Sequence, residues 1–366
     1  MRYLFLMLAT FFASATCFSQ TVNFYISGTV VSRETNLPMA GASVFAQNTT
    51  FGTVTNAEGR FSLQLPAGGY EIAVTYTGYA TETKRITSSE GETRNLAFEL
   101  KQKEKEMEAV SVVATTEVKN GYEKYGSFFL DHFIGRTANS ASCSIRNPEV
   151  LKFYFSKKRN RLKVTATEPL LIENRALGYH IKYSLDSFTH AYETQVSLYT
   201  GYPLFEEMLA SDSIQQQLWV TERHKAYKGS LLHFMRSIYH KVLKEEGFEV
   251  QFLISYNSKD TAFIPKNIYT ALNYQKDDST QTVEFRPNQQ MIGVLYTKEK
   301  PAAGFLAENK QAPGEFQFSI LNFAAGQSVI IEQNGYYFDQ TDISISEYWT
   351  WDKVADQLPY DYVPLK

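Results

Sequence analysis

Cysteine is scarce in this sequence of 366 residues, which contains only Cys17 and Cys143. Cys17 lies in an N-terminal segment that is expected to be cleaved, which leaves Cys143 as the single thiol of the mature chain. An internal disulfide and a cysteine metal cluster are therefore both excluded. No histidine is close to Cys143 in the sequence, and we expect it to be a buried small apolar residue rather than a reactive thiol.

The sequence also lacks a strong net charge and a long apolar run after its first residues. The formal net charge is −3, from 36 basic and 39 acidic residues, so no positive field favours nucleic-acid binding. Beyond residue 20, no segment approaches the roughly eighteen apolar residues that indicate a membrane-spanning helix. We therefore expect no nucleic-acid partner and no transmembrane segment in the mature chain.

Residues 1–20, MRYLFLMLATFFASATCFSQ, predict a secretory signal peptide. Arg2 precedes an apolar run over 3–13, which is shorter than the about 20 residues of a membrane span, and small and polar residues follow. A lipid anchor at Cys17 is the alternative, which the poor lipobox at 14–16 disfavours. The predicted location is the periplasm or an association with the outer membrane. Cleavage is expected after Ala15, Ser19 or Gln20.

Aromatic residues are abundant, with 24 Tyr and 26 Phe against only 3 Trp. Rings of this kind pack well on the pleated surface of β-sheets, so the composition favours a β-rich exported protein. The alternative is that the rings line a groove for a glycan or a peptide.

Alternation of apolar and polar residues predicts a small antiparallel β-domain over residues 24–100. In 60–65 (RFSLQL) and in 70–76 (YEIAVTY) every second residue is apolar and points to one face. About seven short strands in such a segment predict a sandwich. Further strands are expected at 25–31, 42–47, 82–87 and 94–100.

Turn-forming residues separate these strands. PAGG at 66–69 predicts a hairpin connection, and NAEG at 56–59 predicts a turn in which Gly59 adopts a positive φ. NTT at 48–50 matches a glycosylation sequon, which we interpret as a chance match.

The segment 24–100 resembles the carboxypeptidase regulatory-like domain, a transthyretin-like or Ig-like sandwich. The residues that carry the resemblance are an I-x-G-x-V opening, LPMAGASV, TNAEGRFSL and a terminal GY. The resemblance implies a non-catalytic module of the cell envelope, of the kind that opens many TonB-dependent receptors. The chain is too short for a receptor plug and a large barrel, so receptor function is not expected.

A charged linker over 101–119 separates the sandwich from a second domain. KQKEKEME at 101–108 has no core-forming pattern and is expected to be solvated, and AVSVVA at 109–114 is a short β-prone run. Residues 120–366 predict an uncharacterised α+β domain with mostly antiparallel strands. Helices are expected at 121–134 and 348–357, with a helical region near 212–246. Strands are expected at 150–156, 161–167, 178–190, 194–200, 248–256, 281–286, 291–297, 316–322 and 328–333.

Several phrases after residue 120 resemble the partner domain of exported proteins that pair it with a carboxypeptidase regulatory-like domain. Among them are EPLLIENRALGYHIKYSLDSF and KAYKGSLLHFMRSIYHKVLKEEGFEV. This resemblance implies no established activity for the domain over 120–366.

The sequence predicts neither a catalytic site nor a cofactor or metal site. In a zinc carboxypeptidase the metal ligands are expected to be an H-x-x-E pair and a distant third histidine, because catalytic zinc keeps three protein ligands and one open position. Only His190 and Glu193 have that spacing, in an expected hairpin turn, and no histidine follows His240. Glu168, Glu173, Glu206 and Glu207 offer carboxylates for acid–base chemistry, but their separations are not fixed by the sequence.

Basic and aromatic residues near the predicted helical region suggest a surface for a partner or ligand. They are Trp219, Arg223, His224, His233, Arg236 and His240. The alternative is that they form the solvated flank of a helix, with the Trp side chain turned inward.

The favoured function is a non-enzymatic exported protein of the cell envelope that docks or binds another envelope protein or a glycan. A sandwich with exposed edge strands offers one physical route to docking. The alternatives are a hydrolase with an unrecognised active site in the C-terminal domain and a glycan-binding accessory protein. An enzyme is expected to show a deep pocket of convergent titratable groups, whereas a binder shows a shallow surface or exposed rings.

Overall fold

The structure is a computed structural model. It describes residues 23–88, 93–103, 117–256, 259–324, 326–338 and 343–364. The predicted signal peptide and the β-prone run of the linker lie outside the described residues. Among the helices that are described, none is long and apolar enough to cross a membrane.

The N-terminal part is a β-sandwich, as predicted. Its strands are β1 (Asn23–Ser32), β2 (Ser43–Ala46), β3 (Gly52–Val54), β4 (Arg60–Pro66), β5 (Gly69–Thr75), β6 (Glu82–Thr87) and β7 (Thr93–Leu100). One sheet has the order β4-β1-β7 and the other has the order β3-β2-β5-β6. The alternating apolar residues Phe61, Leu63 and Leu65 fill the space between the sheets. The sandwich is not antiparallel throughout, because β1 and β7 pair in parallel.

Two local predictions in the sandwich are corrected. The PAGG segment 66–69 does not close a hairpin, since β4 pairs with β1 and β5 pairs with β2 and β6. It is the crossover between the two sheets. Tyr76 does not continue the buried face of β5, because the strand ends at Thr75 and the Tyr76 side chain is 38% exposed. The NAEG turn is confirmed, with Gly59 at φ +68°.

The central part is a six-stranded antiparallel sheet with one helix packed on it. Its elements are α1 (Gly121–Phe133), β8 (Cys143–Ile145), β9 (Leu151–Ser156), β10 (Arg161–Ala166), β11 (Leu170–Asn174), β12 (Tyr179–Ala191) and β13 (Val196–Glu207). The long strand β12 pairs with β10 and β11 along one edge and with β13 along the other. Phe129 and Phe133 of α1 pack into the core over this sheet.

The C-terminal part adds helices and two further sheets. The helices are α2 (Ser213–Tyr227), α3 (Leu231–Tyr239), α4 (Ile268–Ala271) and α5 (Ala303–Glu308). The strands are β14 (Phe248–Tyr256), β15 (Lys259–Phe263), β16 (Gln275–Asp277), β17 (Thr282–Phe285), β18 (Met291–Tyr296), β19 (Gln317–Phe323), β20 (Val329–Ile331) and β21 (Ile343–Glu347). They form the orders β15-β14-β18-β19-β21 and β16-β17-β20. Helix α3 packs against them, around a core that is separate from that of the six-stranded sheet.

The predicted helical region over 212–246 contains two helices, and the reason for the break between them is local. Gly229 adopts φ +74°, which an α-helix does not allow, and Ser230 caps the N-terminus of α3 by accepting from the backbone of His233. Near the C-terminus, the predicted helix over 348–357 is present only as two single turns, Tyr348–Thr350 and Val354–Asp356.

The sandwich is joined to the rest of the chain through the NTT segment 48–50. The backbone N–H of Asn48 donates to Pro203 at 2.8 Å, and the N–H of Phe205 donates to Thr49 at 2.9 Å, so this loop lines the outer edge of β13. Asn48 also accepts from the backbone N–H of Tyr360 at 2.7 Å. Asn48 is 6% exposed and its side-chain amide oxygen accepts from Gln357. This segment is therefore a buried contact and not an accessible glycosylation site.

Candidate functional site

A cleft of about 510 Å³ lies between the sandwich and the six-stranded sheet. One wall comes from β2, β3 and the turn between β5 and β6. The other comes from β11, β12 and the turn at 166–169, and Lys103 also contributes. Because each wall belongs to a different part of the chain, the cleft exists only when the sandwich is docked.

The sandwich wall presents two tyrosines on a tight turn. Gly78 adopts φ +84°, which allows the chain to reverse, and the N–H of Tyr79 donates to the carbonyl of Tyr76 at 3.0 Å. The two rings meet edge to face, with centroids 5.6 Å apart. The GY pair at 78–79, which carries part of the family resemblance, lies in this turn, whereas strand alternation predicted that Tyr76 faces the core.

The sheet wall is built around an irregularity in β12. The register of β12 against β13 shifts between Leu185 and Ser187, so Asp186 lies at a β-bulge and faces the cleft. A bulge re-aims a side chain that a regular strand would place elsewhere. Lys182 and Leu171 also line this wall, and Leu171 is 43% exposed.

Two opposing effects act on the pKa of Asp186, a carboxylate of this wall. Desolvation by the cleft raises the pKa of Asp186, and the nearby Lys103 ammonium lowers it. Burial raises the pKa of Tyr202 to about 12, with the charge of Asp186 acting in the same direction. Tyr202 is therefore neutral at physiological pH.

The cleft is suited to binding through many weak polar contacts. Hydroxyl side chains are the commonest polar groups in its lining, and such groups both donate and accept. Among the hydrogen bonds of the described residues, none joins a nucleophile of the cleft to a histidine, lysine or carboxylate base, which is the arrangement that nucleophilic catalysis uses. The hydroxyl residues are Ser43, Thr75, Tyr76, Thr77, Tyr79, Thr81, Thr167 and Ser184.

Two of the residues that the sequence suggested for a partner surface are internal. Trp219 is 4% exposed, and its indole N–H donates to the carbonyl of Arg175 at 2.8 Å. Arg223 is 6% exposed; it donates to the carbonyls of Leu177 and Gly178 and to Glu207. The face of α2 that carries Trp219 and Arg223 packs on the turn before β12. Both side chains therefore make contacts within the fold and do not face a partner.

His233 and Arg236 of α3 are also used within the chain. His233 is buried, accepts from the N–H of Gly229, and lies 3.1 Å from Glu246. Burial lowers the pKa of His233 to about 4, so the ring is neutral at physiological pH. The guanidinium of Arg236 donates to three backbone carbonyls, those of Asn334, Tyr360 and Tyr362.

The remaining two suggested residues lie apart from each other. His224 is partly buried on α2, and His240 is exposed at the C-terminal end of α3. Partial desolvation by neighbouring protein atoms, together with the charges of Arg236 and Lys276, lowers the pKa of His240. The structure therefore does not assemble one shared surface from the suggested residues.

The H-x-x-E pair is not arranged as metal ligands. His190 is fully buried, and its Nδ1 atom lies 2.8 Å from the hydroxyl of Ser197, whereas Glu193 is exposed in the turn after β12. Within the described part of the chain, no group of three His, Cys, Asp or Glu side chains is placed to hold a metal ion. Cys143 is a free, partly buried thiol, and burial raises its pKa to about 12.

The fold and the cleft define a protein in which a small β-sandwich is docked on a larger, mostly antiparallel sheet structure. Residues 26–112 match the family model of the CarboxypepD_reg-like domain. This confirms the resemblance predicted from the sequence for the N-terminal sandwich. The matched domain is non-catalytic, and no curated protein matches the chain.

Solved structures are similar over about a fifth of the chain. They include a cohesin–X-dockerin complex from Acetivibrio cellulolyticus, at 25% identity, 20% coverage of this chain, 52% coverage of that chain and a TM-score of 0.18. A 5-hydroxyisourate hydrolase from Klebsiella pneumoniae is 22% identical over 22% of this chain and 90% of that chain, with a TM-score of 0.18. A 3-chlorocatechol 1,2-dioxygenase from Rhodococcus opacus is 14% identical over 22% of this chain and 60% of that chain, also at 0.18. The chain spans about half the length of the first of these structures.

Proposed function

We propose that the protein is a non-enzymatic, exported binding protein of the cell envelope, and that the cleft between the sandwich and the six-stranded sheet is its binding site. The partner is another envelope protein or a glycan. Export to the periplasm or the outer membrane is proposed from the signal-peptide pattern of residues 1–20.

The observation that carries this proposal is the shared lining of the cleft. Tyr76 and Tyr79 come from the part of the chain that matches the CarboxypepD_reg-like domain, and Lys182 and Asp186 come from the six-stranded sheet. The recognisable module and the rest of the chain thus contribute to one surface. Tyr76 is exposed and Tyr79 is half-buried. Accessible rings beside hydroxyl and charged groups are typical of sites that bind through stacking and hydrogen bonds.

Site-specific photocrosslinking tests the proposal in the full chain. A photoreactive phenylalanine analogue replaces Tyr76, which is 38% exposed in the cleft, and in a separate protein it replaces Tyr122, which is 39% exposed on α1. We expect adducts with an envelope protein or a glycan at position 76 only. Equal adduct yields at both positions, or none at either, would contradict a binding site in the cleft.

Alanine variants then test the affinity for the captured partner. Tyr76→Ala and Tyr79→Ala are expected to weaken binding about tenfold, because each removes one contact of roughly 1–1.5 kcal/mol. Tyr122→Ala is the matched control and is expected to bind as tightly as the unmodified protein. Unchanged binding in both cleft variants would place the site elsewhere.

A further inference from the structure

A second cavity, of about 230 Å³, lies where the sandwich, the six-stranded sheet and the C-terminal sheets meet, and it is here named the junction cavity. Asn48 reaches it from the sandwich, Tyr199 from β13, and Met235 and Trp349 from the C-terminal part. Its volume is below the roughly 300–1,000 Å³ of pockets for drug-sized ligands, so any ligand is small.

Four polar side chains line the junction cavity without an internal partner. The carboxylate of Asp352, the ammonium of Lys353 and the hydroxyls of Tyr199 and Tyr337 make no hydrogen bond or salt bridge to the described part of the chain. All four side chains are partly buried. Partly buried polar groups that make no internal hydrogen bond are available to a bound ligand, and four such groups line one space here.

The neighbouring acid, Asp356, already accepts hydrogen bonds from within the chain. Its carboxylate accepts from the hydroxyl of Thr137 at 2.9 Å and from the side-chain amide of Asn139 at 2.9 Å. Asp352 is therefore the carboxylate that is available to a ligand.

Burial disfavours the charged forms of both Asp352 and Lys353. Burial and the nearby Asp356 raise the pKa of Asp352, and burial lowers the pKa of Lys353, although each of these two charges also favours the charged form of the other. Each group is thus disfavoured in its charged form, and a counter-charge on a ligand would stabilise that form. A ligand that carries both a cation and an anion would supply both counter-charges.

The lining also has an apolar part, beside the polar side chains of Asn48, Ser230, Gln357 and Tyr360. This apolar part is suited to an aliphatic body, because burial of aliphatic groups against such side chains contributes about 25 cal/mol per Å² of apolar area. The apolar residues are Leu231, Leu232, Met235, Ile345, Trp349 and Leu358.

We propose that the junction cavity binds a free α-amino acid with an aliphatic side chain, with its ammonium group toward Asp352 and its carboxylate toward Lys353. This site is separate from the cleft, and it does not depend on the function proposed above.

Calorimetry on the mature full-length protein tests the proposal with matched ligands. Leucine, valine and methionine are compared with 4-methylpentanoate, which lacks the ammonium group of leucine, and with 3-methylbutylamine, which lacks its carboxylate. We expect at least one of the amino acids to bind, and both half-ligands to bind about tenfold more weakly than leucine or worse, since each loses a charged hydrogen bond. An amine that binds as tightly as leucine would overturn the proposal in favour of a simple cation site. No binding by any of the three amino acids would overturn it as well.

Two variants assign the ligand's charged groups. Lys353→Met is expected to reduce leucine binding to the level of 3-methylbutylamine while leaving the affinity for the amine unchanged. Asp352→Asn is expected to reduce leucine binding to the level of 4-methylpentanoate. The controls are Lys300→Met and Asp131→Asn, both exposed and outside the cavity lining, and thermal unfolding confirms that each variant is folded. Equal loss of all ligands in both variants would contradict the assigned orientation.

Discussion

Thr50 of the sandwich donates twice to the carboxylate of Asp361, which lies 311 positions later in the sequence. Its backbone N–H reaches one carboxylate oxygen at 2.9 Å, and its hydroxyl reaches the other. The C-terminal segment thereby holds the sandwich against the six-stranded sheet. Both the cleft and the junction cavity depend on this arrangement, because each takes part of its lining from the sandwich.

Thr50→Val tests this contact. The variant keeps the shape and the backbone donor but loses the hydroxyl, so we expect the free energy of unfolding to fall by about 1.5 kcal/mol, the value of a hydrogen bond to a charged group. Urea denaturation measures this change. The control is Thr53→Val on β3, whose side chain makes no hydrogen bond to the described part of the chain and which is expected to be within about 0.5 kcal/mol of the unmodified protein. Equal effects of the two variants would show that the contact does not stabilise the docked sandwich.

Glu332→Gln tests a pH dependence at the same interface. Glu332 is 2% exposed and lies against Gly69 of the sandwich, and burial raises its pKa to about 7. Since the folded state holds the proton more tightly than the unfolded state, the stability contributed by neutral Glu332 is present below about pH 4.5 and is lost as the pH rises to about 7. The variant removes this loss. We expect it to be up to about 3 kcal/mol more stable than the unmodified protein at pH 8 and nearly equal at pH 4.

Denaturant unfolding at both pH values measures this difference. Glu284→Gln provides the control, because Glu284 is exposed on β17, next to the strand that precedes Glu332. We expect its effect to be the same at pH 4 and pH 8. A Glu332→Gln effect that does not change with pH would contradict the role assigned to burial.

Arg223→Lys tests the internal role of a residue that the sequence suggested for a surface. Its guanidinium donates to two carbonyls and to Glu207, and it lies 3.9 Å from the centre of the Tyr179 ring. A lysine ammonium cannot reproduce this planar set of contacts, so we expect a loss of about 2 kcal/mol in the free energy of unfolding. The exposed Arg159 offers the control Arg159→Lys, for which a change within about 0.5 kcal/mol is expected. A loss confined to ligand binding, with unchanged stability, would favour the surface interpretation.

Gly229→Ala tests the break between α2 and α3. A methyl group at this position would lie 2.4 Å from the side-chain oxygen of Gln317 and 2.7 Å from the Tyr296 ring, both of which are buried. Gly41 has nearly the same φ, +76° against +74°, but nothing lies within 4 Å of its added methyl group. We expect Gly41→Ala to cost about 1 kcal/mol, for the backbone conformation alone, and Gly229→Ala to cost at least about 3 kcal/mol. Thermal unfolding of both variants measures the difference, and equal costs would contradict the packing argument.

The strands of the sandwich could be predicted because their signal is local. In residues 60–65 each apolar side chain follows a polar one, and the observed burial of Phe61, Leu63 and Leu65 repeats that pattern. The same signal does not say which strand pairs with which. For that reason PAGG was expected to close a hairpin, although it connects the two sheets.

The candidate sites could not be predicted in the same way, since their residues come from distant parts of the chain. Tyr76 and Asp186 face one cleft only because a bulge in β12 and the docked sandwich bring them there. Conversely, Trp219 and His233 have the composition of a binding surface but are buried by the helices that carry them.

The sequence by itself determined the sandwich, the CarboxypepD_reg-like family of that sandwich and the mostly antiparallel β-structure that follows it, because alternation and turn residues act over a few positions. Only the tertiary structure decided that the NTT segment is a buried contact and that a cleft and a junction cavity lie between the parts. These features depend on contacts between residues hundreds of positions apart, such as Thr50 with Asp361, and no local pattern encodes such a contact.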